Sequence, residues 1–316
     1  MGRVLRKTSS LESPHLSQDS LKPQTSTREF QFSDRDFEQI RKLIYAHAGI
    51  NLSAAKKDMV YSRLGRRLRA NGFKNFKDYL LFLESDNNNE WEAFVNSLTT
   101  NLTSFFREAH HFPVLADHVR RLKQRSLINA PINIWCNAAS TGEEPYTIAM
   151  TMIDVFNSLT PPVRIIATDI DTQALQKASN GVYTLEQAEK LPKDILERFF
   201  LKGRNEKHGQ VKVRKELRDL ITFSQLNLQD NIWPINGPFD AIFCRNVMIY
   251  FDKTTQNKIL QRFAPIMQPD ALLFAGHSES LQGLNDVFKL RGKTVYQLSE
   301  KYKLGVANSL NHLYPK

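Results

Sequence analysis

The stretch Gly237–Phe251, GPFDAIFCRNVMIYF, constrains the fold of this chain more than any other. A turn-prone Gly-Pro pair precedes Phe239 and Ala241–Cys244, an apolar run of strand length. The run stops at Arg245-Asn246, turns apolar again from Val247 to Phe251, and meets Asp252, which is suited to cap a helix. A buried strand followed by a salt-bridged turn would give such a pattern. So would a strand ending at a ligand site, because open α/β sheets bind ligands just beyond the carboxyl ends of their strands. Arg245, Asn246 and Tyr250 stand at that edge.

The surrounding pattern supplies the rest of such a sheet. Ile132–Trp135, Val163–Ala167, Ile221–Leu226 and Ala271–Ala275 read as strands, and Glu143–Asn157, Gln173–Ser179 and Thr254–Ile266 as helices. This alternation predicts a doubly wound parallel sheet. Phe288 and Val295–Leu298 suggest a terminal antiparallel pair turned at Arg291-Gly292. Residues 200–216 carry Gly203, Gly209 and an alternating Val211 and Val213, which fits either an inserted hairpin or a long surface loop.

Ahead of residue 110 the period is helical. Ser33-Asp34-Arg35-Asp36 offers an N-cap, and Phe37, Ile40, Leu43 and Ile44 follow at helical spacing up to Gly49. Val60, Leu64 and Leu68 mark a second helix, ended at Asn71-Gly72; Phe76–Leu83 and Trp91–Leu98 mark two more. The expected organisation is a tail at 1–28, an all-helical domain at 30–110, a linker at 111–130, an α/β domain at 131–300 with a β insertion at about 195–222, and a tail at 301–316.

A chain of 316 residues can bury two cores. No apolar run approaches the roughly 20 residues of a membrane span, and Arg3, Arg6 and Lys7 precede no apolar block, so no signal peptide is expected. Two cysteines, Cys136 and Cys244, both at strand ends, fit small buried residues in a reducing, cytoplasmic setting. The net charge of +10 points to an acidic partner, whether nucleic acid, membrane surface or protein. No zinc-ligand spacing, aromatic RNA-binding strand or continuous basic tract favours nucleic acid.

Chemistry concentrates at the strand ends. Asn137-Ala-Ala-Ser-Thr-Gly-Glu-Glu144 follows the first strand and opens a helix. Its small residues admit a close ligand, and its glutamates suit an amine better than a pyrophosphate, unless they only complement the helix dipole. Asp169 ends the second strand, where an acid can accept ribose hydroxyls, while Asp171 fits a helix cap. Asn227 and Leu228 follow the third. Arg107, set among aromatics in Thr100–His111, needs an anionic partner, either a structural carboxylate or one on a substrate. His110 and His111 have no third metal ligand at a sensible spacing, and no metal is expected.

In this order the motifs TNLTSFFREAHHF (100–112), AASTGEEPYTIAM (138–150), ATDIDTQAL (167–175), GPFDAIFCRNVMIYFDKTTQ (237–256) and LLFAGHSESL (272–281) resemble the chemotaxis receptor methyltransferase family CheR, from about Phe30 to Leu298. The resemblance implies a Rossmann-like class I methyltransferase sheet, with a small antiparallel β insertion, preceded by an all-helical N-terminal domain. It implies S-adenosyl-L-methionine as cofactor, S-adenosyl-L-homocysteine as product, and glutamate side chains of methyl-accepting chemotaxis receptors as acceptors. By position, Asn101, Thr103, Arg107, Glu144, Asp169, Asn227, Leu228, Arg245 and Asn246 would bind the cofactor. Glu144 would face the methionine amine, Asp169 the ribose, and Asn227 with Leu228 the adenine. Arg107 and Tyr250 would orient the acceptor.

In some family members the β insertion tethers a peptide at the receptor C-terminus. The charged loop tip Arg204–Lys207 and Asn137, where a small residue is expected, depart from the family pattern. Lys56, Arg63, Arg66 and Arg69 would form a basic face for an acidic receptor helix. Contact with the membrane would then come only through receptors. A nucleic-acid methyltransferase and a non-catalytic cofactor-binding scaffold are the alternatives. The first lacks an NPPY-type strand end, and the second does not account for Arg107, Glu144, Asp169 and Tyr250 together.

Overall fold

A computed structural model describes residues 28–85, 89–125, 130–279, 281 and 285–304. Apart from Arg28 and residues 301–304, the two expected tails lie outside the described residues.

The helical layer comprises α1 (Asp34–Ala48), α2 (Lys57–Asn71), α3 (Phe76–Glu84) and α4 (Glu90–Leu98). Ser33 starts α1 through a reciprocal cap: its hydroxyl accepts from the Asp36 amide, and the Asp36 carboxylate accepts from the Ser33 amide. Gly49 ends the helix at φ 70°, and a Cβ there would lie 2.2 Å from the Gln229 side chain. Glycine is therefore required both by the turn and by the approach of the α/β domain. The apolar faces of the four helices close on one core that includes Phe37, Ile40, Leu64, Phe76 and Phe94. Within it, the buried Glu90 accepts two hydrogen bonds from Arg67 at 2.7 Å each and one from the Tyr79 hydroxyl at 3.0 Å.

The α/β domain opens with α5 (His111–Arg125), β1 (Ile132–Cys136), α6 (Glu143–Phe156), β2 (Val163–Asp169) and α7 (Thr172–Asn180). It continues through β3 (Val182–Thr184), α8 (Leu185–Ala188), α9 (Lys193–Phe199), β4 (Phe200–Lys202), β5 (Gln210–Val213), α10 (Lys215–Arg218) and β6 (Ile221–Gln225). It ends with β7 (Phe239–Cys244), α11 (Lys253–Phe263), β8 (Met267–Ala275), β9 (Phe288–Gly292) and β10 (Val295–Leu298). The seven-stranded sheet has the order β6-β2-β1-β7-β8-β10-β9. Its first five strands are parallel, and β10 runs antiparallel to both β8 and β9. The order reverses direction between β1 and β7, which makes their carboxyl ends the switch point of the fold. Alternation along β1 sends Ile134 and Cys136 to one core and Trp135 to the other, so both faces of the sheet are covered.

Three details differ from the sequence reading. Residues 111–125, expected as linker, form a helix that buries Phe112, Leu115 and Val119 against the sheet. The insertion is antiparallel as expected, but β3 joins it to make a three-stranded sheet, β3-β5-β4, that starts at Val182 rather than near 195. The last turn lies at Gly292–Thr294, where three successive residues have positive φ.

Arg67→Ala would remove both of the Arg67 hydrogen bonds that the buried Glu90 carboxylate accepts. A loss of about 3 kcal/mol or more is expected, read as a lower midpoint in urea unfolding of the full chain.

Candidate active site

A cavity of about 560 Å³ opens at the carboxyl edge of the sheet, at the switch point, and the helical domain closes one side of it. Its size is that of a site for a nucleoside-sized ligand. Asn101, Thr103, Arg107, Glu144, Asp169, Asn227, Leu228, Arg245, Asn246 and Tyr250 all line it. So do Ile50, Asn51, Lys56 and Met59 of the helical domain, which the sequence did not connect with the site.

At the centre of this wall stands Arg245, with a side chain only 1% exposed. Its Nη1 donates to Glu144 Oε2 at 2.5 Å, its Nη2 donates to the Arg107 carbonyl, and Glu108 lies at 3.8 Å. Glu144 starts α6 and takes a second hydrogen bond, from the Cys136 thiol at 3.2 Å. Burial pushes the Glu144 carboxyl up, and Arg245 and Cys136 offset part of that rise. Burial also pushes both thiols well above their usual value, so neither cysteine is a nucleophile here.

Asp169 ends β2. It accepts the Ser140 amide at 2.7 Å and the Asp171 amide at 3.0 Å. Burial raises its carboxyl to about 6 despite these bonds. Asp171 caps α7 with one oxygen, taking the Ala174 amide at 2.9 Å. Its other oxygen accepts from Thr99 at 2.5 Å and from Asn101 at 2.7 Å. The segment joining the domains is thereby fixed to the sheet. Asn227 serves the same junction: its amide donates to the His47 carbonyl at 2.7 Å, and its oxygen accepts the Gln229 amide at 3.0 Å.

Glu279 is the important residue that sequence reasoning missed. It is buried, and its carboxylate accepts the amides of Asn246 (2.9 Å), Val247 (2.8 Å), Met248 (2.8 Å) and Gly276 (2.6 Å). Four charge-assisted bonds shape the turn after β7, with Asn246 held at φ 58°. The signal available was the acid in Gly276-His-Ser-Glu279 just beyond a strand, but its partners are backbone groups that no side-chain pattern reveals.

Arg107 and Tyr250 contrast with these tethered groups. Arg107 donates to the Leu102 carbonyl at 2.9 Å and has no carboxylate partner among the described residues. The structural option for its anion is thus not taken. Tyr250 lines the cavity, its hydroxyl has no hydrogen bond among the described residues, and its carbonyl accepts the Asn51 amide at 2.8 Å. The basic face is smaller than the sequence implies. Arg63 donates to the carbonyls of Ser97 (3.4 Å) and Thr99, and Arg69 pairs with Glu29 at 3.0 Å. Glu108 supplies a third group near the two histidines, with ligand atoms of Glu108, His110 and His111 within 4.8 Å of one another. One Glu108 oxygen lies 3.0 Å from His277 Nδ1 and 3.8 Å from Arg245, and the other has no hydrogen-bond partner among the described residues.

The residues present fit S-adenosylmethionine. They offer a strand-end carboxylate, an unpaired guanidinium and an apolar floor from Leu226 and Leu228. Sheet, insertion and cavity together define a class I methyltransferase that uses this cofactor. Residues 101–297 match the SAM-binding domain of CheR methyltransferase, and residues 35–99 match its all-alpha domain. Among its relatives, the chemotaxis protein methyltransferase of Escherichia coli K12 is 52% identical over 275 residues, covering 87% of this chain and 94% of that one. The Salmonella typhimurium LT2 protein of the same name is 51% identical over 275 residues, covering 87% and 93%. Chemotaxis protein methyltransferase 2 of Pseudomonas aeruginosa PAO1 is 48% identical over 274 residues, covering 87% and 96%. The chain belongs to the CheR methyltransferase family.

Because burial raises Asp169, the folded protein holds this proton more tightly than the unfolded chain does. Ionising Asp169 therefore works against the fold as pH rises from the ordinary value of 3.8 through about 6. A ligand that donates hydroxyls to the carboxylate favours the ionised form. S-adenosylhomocysteine affinity, measured by calorimetry, is expected to be level above pH 7 and to weaken as pH falls through about 6. Asp169→Asn should bind more weakly and lose this dependence.

Proposed function

We propose that this protein transfers the methyl group of S-adenosylmethionine to glutamate side-chain carboxylates of chemotaxis receptors, giving methyl esters. The observation that carries this reading is that one cavity is lined by both Arg107, which has no carboxylate partner, and Tyr250, whose hydroxyl has no hydrogen bond, among the described residues.

The cofactor supplies a sulfonium methyl, already activated, so no general base is needed. A glutamate carboxylate, with a reference pKa near ~4.3, arrives ionised at neutral pH. Arg107 holds one oxygen of that carboxylate while the other attacks, and Tyr250 donates a hydrogen bond beside the reacting centre. Asp169 accepts from the ribose, Asn227 and Leu228 flank the adenine, and Asn101, Thr103, Glu144, Arg245 and Asn246 enclose the methionyl end. Orientation and exclusion of water are then the main sources of rate, worth up to ~7–11 kcal/mol in favourable systems. No helix among the described residues is long and apolar enough to cross a membrane, and the receptors would bring the enzyme to it. In the insertion, β4 is an edge strand of its sheet with Leu201 half exposed, and it would accept the receptor's C-terminal peptide as an added strand.

The test is transfer of labelled methyl to receptor-rich membranes, with nucleic acid as the parallel substrate. Base-labile label on receptor glutamates is expected, and its rate should fall when the receptor's C-terminal end is removed. Label in nucleic acid, or none in receptors, would sink the reading.

Arg107→Ala should leave the unfolding midpoint close to that of the parent, since the guanidinium bonds only one carbonyl. Turnover should drop by about 100-fold or more, and full turnover in this variant would refute its role.

A further inference from the structure

We infer that Leu102 and Ile249 form an apolar lip at the cavity mouth that docks aliphatic side chains flanking the glutamate to be methylated. This inference rests on the receptor-methylating reading above. Both residues line the cavity, yet Leu102 is 81% and Ile249 51% exposed, which places them where the wall meets solvent. A single exposed aliphatic residue is ordinary. Two that line one cavity from separate segments, one between the domains and one after β7, leave apolar surface uncovered at its wall.

The backbone beneath each side chain is fixed. The Leu102 carbonyl accepts the Arg107 guanidinium, and the preceding Asn101 is tied to Asp171. Ile249 lies in a short turn, Met248–Tyr250, that Glu279 holds through the Met248 amide and Asn51 holds through the Tyr250 carbonyl. Exposed aliphatic side chains on a fixed backbone can be covered by a partner with little further ordering cost.

Charge selects the occupant. Lys56, exposed and without an ion pair among the described residues, lines the same cavity, and the chain carries a net charge of +10. An acidic polypeptide segment whose target glutamate has aliphatic neighbours meets both features. Its carboxylate reaches Arg107 while the neighbours cover Leu102 and Ile249.

The experiment measures methylation of receptor-containing membranes by the full chain at saturating S-adenosylmethionine, for Leu102→Ser, Ile249→Ser and the double variant. The double variant should lose about tenfold in kcat/KM for the receptor, mainly through KM. Its S-adenosylhomocysteine affinity should stay within about twofold of the parent and its melting temperature should not fall, since neither side chain is buried. Unchanged kcat/KM would overturn the lip, as would a parallel loss of S-adenosylhomocysteine affinity. A loss that vanishes when residues 1–27 are deleted would assign the lip to the chain's own tail and overturn the docking role. A parent protein that binds S-adenosylhomocysteine but methylates no receptor carboxylate would instead remove the functional reading beneath it.

Discussion

A guanidinium withdrawn from water at the rim of a parallel sheet dictates much of what surrounds it. An isolated buried charge costs many kcal/mol, so Arg245 needs partners, which its two terminal nitrogens find while its Nε has none among the described residues. Glu144 matches it from the start of α6, the Arg107 carbonyl from the interdomain segment, and Glu108 from the same segment. Three separate elements are thereby held in one position. Because the Arg107 backbone is engaged, its side chain is left to face the cavity. Arg245 thus does its work as a clamp in the cavity wall, whereas Arg107 lines the cavity with no carboxylate partner among the described residues.

The cavity belongs to both domains. Asp171 grips Thr99 and Asn101, Asn227 grips the end of α1, and Tyr45 donates to Asp252 at 2.5 Å where α11 begins. Arg63, which looks like a docking residue in the sequence, fastens the carbonyls of Ser97 and Thr99 just before Asn101. The helical domain therefore does more than present a basic surface. It supplies a wall to the cavity and sets the path of the segment that carries Arg107.

What could be read in advance follows from where the information is stored. Strand β7 was legible because an apolar run broken sharply by Arg245-Asn246 suits a buried strand that ends at a polar edge and suits little else. Helix α1 was legible because its cap is made by side chains three residues apart. Strand β3 was not legible: its three residues acquire their state by pairing with β5, which lies far along the chain. Helix α5 was hidden by Pro113 and two histidines, although its Phe112, Leu115 and Val119 spacing was present and Pro is tolerated in a first helical turn. The clamp by Glu279 left no trace for a reading that pairs side chains, since all four of its donors are backbone amides. The residues named from the family resemblance do line the cavity, while Ile50, Asn51 and Met59 of the helical domain, which also line it, were not anticipated. Nor were the supports beneath them, because many side chains can hold a backbone.

The electrostatics of the site suit the reaction proposed for it, the methylation of a carboxylate. Joining a carboxylate to a sulfonium destroys charge, so water, which stabilises the separated ions, opposes the step. Burial at this sheet edge already makes ionisation harder for Glu144 and Asp169, which shows how far the wall is withdrawn from solvent. In such surroundings a guanidinium tethered to a carbonyl attracts an incoming carboxylate more strongly than one in water does. It also fixes the direction from which that carboxylate arrives. In the proposed reaction Arg107, with one nitrogen on the Leu102 carbonyl and no carboxylate partner among the described residues, would supply both attraction and aim. A rigid clamp behind a free cation is therefore the arrangement that lets a nucleophile needing no activation be steered rather than deprotonated.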